Sequence, residues 1–380
     1  MILNNKHRIE ELDILKALGI ICMVSGHSGA PFTKFIYLFH MAIFFIASGF
    51  FYKDENSQNI LSVFKSFWKK VKHLYIPVFI WNIIFTLLHN LFIHINIYTN
   101  SLNPMLIQPI GYYSPKDIFI KIVEGTIFIT STEQIFCTVW FLKVLFMISV
   151  CYLFFDYLIK YLFKKRLLLI QLIISILLLI FGFYCSKIFN NDFYGIARTS
   201  SFYCLYFIGY ILRIYKYKYF LWNWKQYLPI LLISFEILLW LNCLGSIELV
   251  QNRYENPIFL LLASLFGWIF LYSLSYFINK VSNLKNIILV IGRNTIFVVI
   301  LHFLSFKIVS FIIVSLYDLP SFCIAAFPVL ICSTGVWWLA YIFVGVMVPV
   351  LLGVIYNRFI GKIYSYIQSD KRYKKQQREI

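Results

Sequence analysis

The residues best suited to chemistry are histidines inside apolar stretches, where an ionisable side chain is costly and usually serves a function. His27 follows Lys16 by eleven positions, which in an α-helix places both within roughly 20° of one face and roughly 16 Å apart. Asp13 precedes Lys16 by three residues and can pair with it. We expect one helix face to carry a cation near one membrane surface and a general base in the opposite half. The alternative is an interfacial Asp13–Lys16 pair and a structural His27.

Two further histidines, His40 and His302, are expected at a depth similar to that of His27. His40 lies in FIYLFHMAIFFIASGFFY, which follows the first apolar stretch after a short turn and therefore runs antiparallel to it. Ser48 and Gly49 in the same stretch permit close helix packing. These three imidazoles are expected to face a common cavity.

Trp140 and Lys143, in the stretch TVWFLKVLF, are candidates for lining the same cavity. We expect them, together with His302, to bind a substrate. For Lys143 and His302 a structural role is equally consistent with the sequence.

A basic cluster, KSFWKKVKHLYIP, precedes the third apolar stretch. Lysines bind phosphate as point charges, so Lys69 and Lys72 are candidates for holding a phosphorylated ligand; a simple topological signal is the alternative. Arg293, in IGRNTIF, is expected about two turns inside a later apolar stretch. A buried guanidinium there would need a carboxylate or phosphate partner.

Membrane helices must position these candidates, because 61% of the chain is apolar and only 13% is charged, against about a quarter in soluble proteins. Apolar stretches of about 17–25 residues can each cross a bilayer as a helix. The eight cysteines show no C-x-x-C pattern, so neither a disulfide framework nor a metal site is predicted. The sequence predicts an all-α integral membrane protein with about ten transmembrane helices, at 12–30, 35–52, 74–98, 135–161, 167–188, 200–212, 227–245, 257–279, 286–316 and 322–356.

The basic residues favour one orientation of this bundle. Most of the 34 lysines and arginines fall on the side of the chain ends, and such residues concentrate in cytoplasmic loops. We expect cytoplasmic N- and C-termini, no cleaved signal peptide, one transmembrane domain at 1–360 and a basic tail at 361–380 on the lipid bilayer. Nucleic-acid binding is excluded, because no soluble module offers a basic face. The long loop after the third span is expected to be interfacial or re-entrant.

The pattern of the first two apolar stretches can be compared with known families. It consists of Asp13-x-x-Lys16, ten residues to His27, and then Phe39-His40-Met41-x-x-Phe44-Phe45-x-x-Ser48-Gly49-Phe50. Shorter elements are Trp140-Phe141-Leu142, the stretch 207–210, and Gly292-Arg293-Asn294-Thr295 before His302. Together these resemble the acyltransferase 3 family of bacterial membrane O-acyltransferases, above all its fucose 4-O-acetylase-like branch, which includes exopolysaccharide O-acetyltransferases. Lys16, Ala42 and Thr295 depart from the residues most frequent in the family.

The resemblance implies a multi-pass protein of the bacterial plasma membrane that transfers an acyl group from cytosolic acyl-CoA to a glycan hydroxyl on the other side. Acetyl-CoA would be the donor substrate, with no permanently bound cofactor. Lys16, Lys69, Lys72 and Arg293 would hold the CoA phosphates, and the thioester would arrive at His27. His27 would act as general base or transient acyl carrier, with His40 or Trp140 orienting it or binding the oxyanion. A polysaccharide synthesis or export complex, or a second copy of the chain, is a further implied partner.

Two other functions compete with this interpretation. A multi-pass transporter or exporter of a polysaccharide or lipid-linked precursor would also contain intramembrane charge, but transporters often show repeat symmetry and the sequence shows none. A non-catalytic sensor or scaffold would not need three histidines within the membrane.

Overall fold

The structure is a computed structural model that describes residues 9–100, 110–164, 168–189, 192–215, 222–330 and 335–376. Within these ranges the chain is almost entirely helical. The helices are α1 Glu10–His27, α2 Thr33–Tyr37, α3 Ala42–Phe50, α4 Ile60–Lys70, α5 Ile76–His94, α6 Pro115–Ile127, α7 Val139–Phe163, α8 Leu168–Phe189, α9 Ile196–Ile214, α10 Trp224–Leu244, α11 Pro257–Asn279, α12 Ser282–Arg293, α13 Thr295–Leu316 and α14 Trp337–Gln376. Two short strands, β1 Ile247–Glu248 and β2 Arg253–Tyr254, pair antiparallel between α10 and α11.

Eight helical segments of the described chain are long and apolar enough to cross a membrane, which agrees with the prediction of an all-α membrane protein. They are Thr33–Phe50, Ile60–His94, Gln134–Phe163, Leu168–Phe189, Trp224–Leu244, Pro257–Asn279, Thr295–Leu316 and Trp337–Gly361. The two other expected spans correspond to α1 and α9. Helix α1 carries four charged residues and α9 carries two, and both helices lie largely buried against neighbouring helices. The count of ten therefore stays a prediction.

Helix α1 is central to the bundle, since it packs against α2, α3, α11, α12, α13 and α14. We call the end of the bundle at which α1 begins the proximal end, and the end at which α1 finishes, with His27, the distal end. Hydrogen bonds and ion pairs to the start of α1 place Asn279 and Lys285 at the proximal end. The orientation of these ends in a membrane stays a prediction.

Three expected spans are interrupted in the structure. Span 35–52 is divided by a turn at 38–41, which contains His40. Span 286–316 is divided at Asn294, whose φ of −116° and ψ of 18° end α12 and precede α13. Span 322–356 overlaps a short 3-10 helix, Ser321–Ala325, which ends well before α14 begins at Trp337. Hydropathy alone does not place these interruptions, because each falls inside a stretch that is apolar enough to be interpreted as one continuous span. The expected domain boundary at 360 lies within α14.

The third span begins before the predicted residue 74, because a single π-helical turn, Val71–Tyr75, joins α4 to α5. The described part of the segment that follows α5 folds back along that helix, and its interfacial or re-entrant position in a membrane stays a prediction. Tyr113 pairs with Asn90 near the distal end of α5, and Thr126 O accepts a hydrogen bond from Tyr75 at the start of that helix. The chain then returns to the distal half.

Two glycines fix α3 against α9. Gly49 lies against the backbone of Tyr206, and Gly209 lies against the backbone of Ile46, so that a β-carbon at either position would collide with main-chain atoms. Small residues allow this close approach of membrane helices. The close packing expected at Gly49 is therefore confirmed.

Candidate functional site

A cavity of about 300 Å³ opens at the distal end of the bundle. It brings together His27, His40 and Trp140, three residues that lie far apart in the sequence. The remaining walls combine the turn after α2, the start of α7, the β1–β2 hairpin and the segment after α13. The other lining residues are Met23, Tyr37, Met41, Cys137, Thr138, Ile247, Glu248, Leu249, Val250, Phe303, Phe327 and Pro328.

His27 is the last residue of α1 and is half-buried in this cavity. The hydroxyl of Tyr37 lies 3.5 Å from His27 Nδ1 and donates a hydrogen bond of 3.1 Å to Gly26 O. The Phe303 ring packs against the imidazole at 5.0 Å between centroids. In the described ranges His27 Nε2 has no hydrogen-bond partner, so this nitrogen is available to a substrate.

His40 occupies the turn between α2 and α3, where its Nδ1 lies 3.0 Å from Ile36 O. A carbonyl oxygen only accepts hydrogen bonds, so Nδ1 carries the proton and Nε2 of the neutral ring is an acceptor. The ring stacks on Tyr37 at 5.0 Å between centroids. His40 thus contacts the ring of the same tyrosine whose hydroxyl lies beside His27.

His302 lies behind His27 and does not line the cavity. Its ring stacks on the His27 ring with the centroids 5.6 Å apart. Nδ1 lies 2.9 Å from Val298 O and 3.1 Å from Val299 O in its own helix. Its Nε2 is buried without a hydrogen-bond partner among the described residues. The expectation of direct substrate contact is therefore not supported, although the three histidines do cluster.

Trp140 is held in the cavity wall by Arg198, whose guanidinium carbon lies 5.2 Å from the indole centroid. Arg198 is itself fixed by Asp192, with Nε 2.7 Å from Oδ2, and by Val250 O at 3.0 Å from Nη1. This arrangement ties the tryptophan to α9 and to the hairpin.

Lys143 does not line this cavity, contrary to the prediction. It follows Trp140 by three residues, which turns it about 60° away on the helix. Its side chain is buried and faces Tyr194 and Gly195 instead, with Nζ 6.0 Å from the Tyr194 centroid.

The proximal end carries the predicted cations. Lys16 Nζ lies 2.6 Å from Asp13 Oδ1, so the expected pair is confirmed. Asp13 is buried, with 4% of its surface exposed, so this carboxylate faces neighbouring helices. Lys69 and Lys72 are exposed. Lys70, between them, is half-buried and lies 6.0 Å from the Tyr206 ring, while Lys16 lies 5.6 Å from the Phe51 ring.

Arg293 is not the buried intramembrane guanidinium that the sequence suggested. It is the last residue of α12 and its side chain is exposed. The helix break at Asn294 places it at a junction rather than two turns inside a continuous span. It needs no buried carboxylate partner, and its accessibility still permits contact with a phosphate.

Two cavity residues were missed by the sequence analysis. Glu248 reaches the cavity from β1, and its Oε1 accepts a hydrogen bond of 2.9 Å from Gln251. Tyr37 is held between the two histidines. A glutamate in a connecting loop and a tyrosine in an apolar stretch have no distinguishing pattern, so only the tertiary arrangement reveals them.

Lys307 was also missed, although a lysine within an apolar stretch is a detectable signal. It is 4% exposed, and its Nζ donates hydrogen bonds to Ile324 O at 3.1 Å and to Ala326 O at 2.7 Å. It therefore fixes the segment that presents Phe327 and Pro328 to the cavity.

Among the described residues, no group of three or more histidine, cysteine or acidic side chains could hold a metal ion.

The chain was compared with known proteins. No curated protein and no solved structure matches it. The family model described as an acyltransferase domain, that of the acyltransferase 3 family, matches residues 9–365. This match includes the cavity, all three histidines and the proximal cations, and it covers nearly the whole chain. The protein therefore belongs to the acyltransferase 3 family.

Proposed function

We propose that this membrane acyltransferase moves an acyl group, most simply acetyl, from acyl-CoA on the cytoplasmic side to a hydroxyl of an extracytoplasmic or membrane-associated glycan. The observation that carries the proposal is His27, half-buried in the distal cavity with Nε2 unpartnered among the described residues. In this proposal the proximal end is cytoplasmic, the membrane is the bacterial plasma membrane, and α1 and α9 complete a bundle of ten spans.

His27 acts as the general base. Its Nε2 accepts the proton of the acceptor hydroxyl while the hydroxyl oxygen attacks the thioester carbonyl. The resulting tetrahedral intermediate collapses with cleavage of the carbon–sulfur bond. The departing thiolate then takes the proton from His27, which returns the imidazole to its starting state. Tyr37 and Phe303 hold the ring in place through the contacts described above.

Trp140 is the better candidate for the oxyanion. An indole N–H can only donate a hydrogen bond, whereas His40 with its proton on Nδ1 offers an acceptor at Nε2. The oxyanion needs a donor, and the acceptor hydroxyl needs an acceptor. We therefore assign Trp140 to the oxyanion and His40 to orienting the hydroxyl.

Cations at the proximal end hold the phosphates of the donor. Lys16 and Lys70 both lie near the end of α3, and Lys69, Lys72 and Arg293 are exposed at the same end. The axial rise of α1 from Lys16 to His27 is roughly 16 Å. An extended arm of that length carries the thioester from the cations to the cavity.

The experiment measures release of free thiol from acetyl-CoA by the purified protein in lipid nanodiscs, with de-O-acetylated surface glycan from the producing cells as acceptor. Because positioned general bases contribute about 10²–10⁴-fold, His27→Ala should lower the transfer rate by at least about 100-fold. His94→Ala is the matched control, since His94 is an exposed histidine at the distal end of α5. Its rate should equal that of the wild type.

Two results would contradict the proposal. A folded His27→Ala protein with the wild-type rate removes His27 from the reaction. A wild-type protein that consumes no acetyl-CoA, yet moves the glycan across a proteoliposome membrane, is an exporter.

A further inference from the structure

A second, larger cavity of about 590 Å³ lies beside the first at the distal end. Val250 lines both cavities. The β1–β2 hairpin separates them, because Glu248 faces the histidine cavity while the residues from Val250 onward face the larger one. The remaining lining residues are Phe183, Ser186, Lys187, Asp192, Gln251, Asn252, Arg253, Tyr254 and Glu255.

The wall between the cavities is firmly anchored. Asn252 adopts a left-handed conformation with φ of 54°, which asparagine tolerates better than most residues. Its Nδ2 donates to Gly182 O at 3.1 Å and to the hydroxyls of Ser186 at 2.7 Å and Ser201 at 3.0 Å. Tyr254 donates a further hydrogen bond to Ser201. The hairpin is therefore held to α8 and α9, and the larger cavity has a defined shape.

The lining of this cavity is chemically unlike that of the histidine cavity. It combines two aromatic rings, Phe183 and Tyr254, with 5.3 Å between centroids, and charged side chains of both signs. Lys187 and Arg253 are exposed. Such a mixture provides donors and acceptors for the hydroxyls of a sugar beside a small apolar surface. A volume of this size lies within the range of about 300–1,000 Å³ that is typical of small-molecule sites.

We infer that this second cavity binds the sugar units next to the one that is acylated, so that the enzyme recognises an oligosaccharide rather than a single sugar. The inference rests on the proposed function. Arg198 supports the coupling of the two sites, because it contacts both Val250 O in the shared wall and the ring of Trp140 in the histidine cavity. A saccharide in the larger cavity would thus extend toward His27 past Val250.

The test uses the thiol-release assay with fragments of de-O-acetylated surface glycan cut to one, two, four and six sugars. For the wild type, KM should fall at least tenfold between one and four sugars. The double variant Lys187→Ala/Arg253→Ala should lose most of that gain, because its changes are confined to exposed side chains of the larger cavity. Lys116→Ala, which removes an exposed lysine from α6, should keep the wild-type dependence on length.

The outcomes separate the two proposals. A wild type that transfers to all fragments with one KM, or a double variant that keeps the full gain with length, overturns the oligosaccharide site and leaves the proposed function intact. A wild type that releases thiol with none of the fragments contradicts the proposed function, and the oligosaccharide site is rejected with it.

Discussion

Asp156 at the proximal end and His302 near the distal cavity are both fully buried, but their surroundings differ. Asp156 Oδ2 accepts hydrogen bonds from Tyr52 at 2.8 Å and from Ser57, and lies 3.1 Å from Lys160 Nζ. His302 Nε2 has no such partner in the described ranges. Folded proteins pair nearly all buried polar groups, so an unpaired one next to the proposed general base is a site to test for a role in the reaction. Under the proposed function, we expect the first region to hold the bundle together and the second to support the reaction at His27.

The largest expected effect tests the structural half of this comparison. Asp156→Ala leaves Lys160, Tyr52 and Ser57 without their buried carboxylate, and breaking a buried pair costs about 3–5 kcal/mol. We expect a large fall in unfolding temperature in detergent, with normal transfer per folded molecule. Glu55→Ala, which removes an exposed carboxylate from the same end, is the control. An Asp156→Ala protein that melts like the wild type but transfers nothing would reverse the assignment.

Lys307→Met tests a residue that combines a structural and a functional role. Its buried ammonium donates hydrogen bonds to Ile324 O and Ala326 O, and the segment that it holds lines the cavity. Hydrogen bonds to charged groups contribute about 1.5–3 kcal/mol, so we expect a moderate fall in unfolding temperature. Release of the segment around Phe327 should also lower transfer about tenfold. Lys34→Met, at an exposed distal lysine, should change neither quantity. A fall in unfolding temperature at full activity would show that the segment does not shape the cavity.

The smallest expected effect concerns His302, the buried residue beside the cavity. His302→Leu removes an imidazole that packs on His27, and we expect transfer to fall about tenfold, which corresponds to about 1.4 kcal/mol. The unfolding temperature should change little, because the lost hydrogen bonds are only those to carbonyls of its own helix. A protein of much lower stability and full activity would make His302 a structural residue.

The sequence could predict what a single helix determines. The face of α1 that joins Lys16 to His27 follows from helical periodicity, and the Asp13–Lys16 pair follows from a spacing of three residues. The closeness of His27 and His40 was predicted from the short turn between their two apolar stretches. Such a turn makes the second stretch run antiparallel to the first and places the two histidines at a similar depth.

The sequence could not predict what depends on breaks and on distant contacts. Arg293 was placed inside a continuous span because an apolar stretch does not show that Asn294 ends one helix before the next begins. Lys143 was placed in the cavity because Trp140 is close in sequence, yet three residues of helix turn it toward Tyr194 and Gly195. Glu248 reaches the site only through a hairpin whose position is set by Asn252 and its contacts with α8 and α9.

The glycine contact between α3 and α9 restricts how this protein can move. Main-chain atoms meet at Gly49 and Gly209 with no side chain between them, so sliding one helix along the other has no low-energy intermediate. The two helices must behave as a fixed frame. Entry and exit of substrates must then be accommodated by parts of the cavity wall outside this frame.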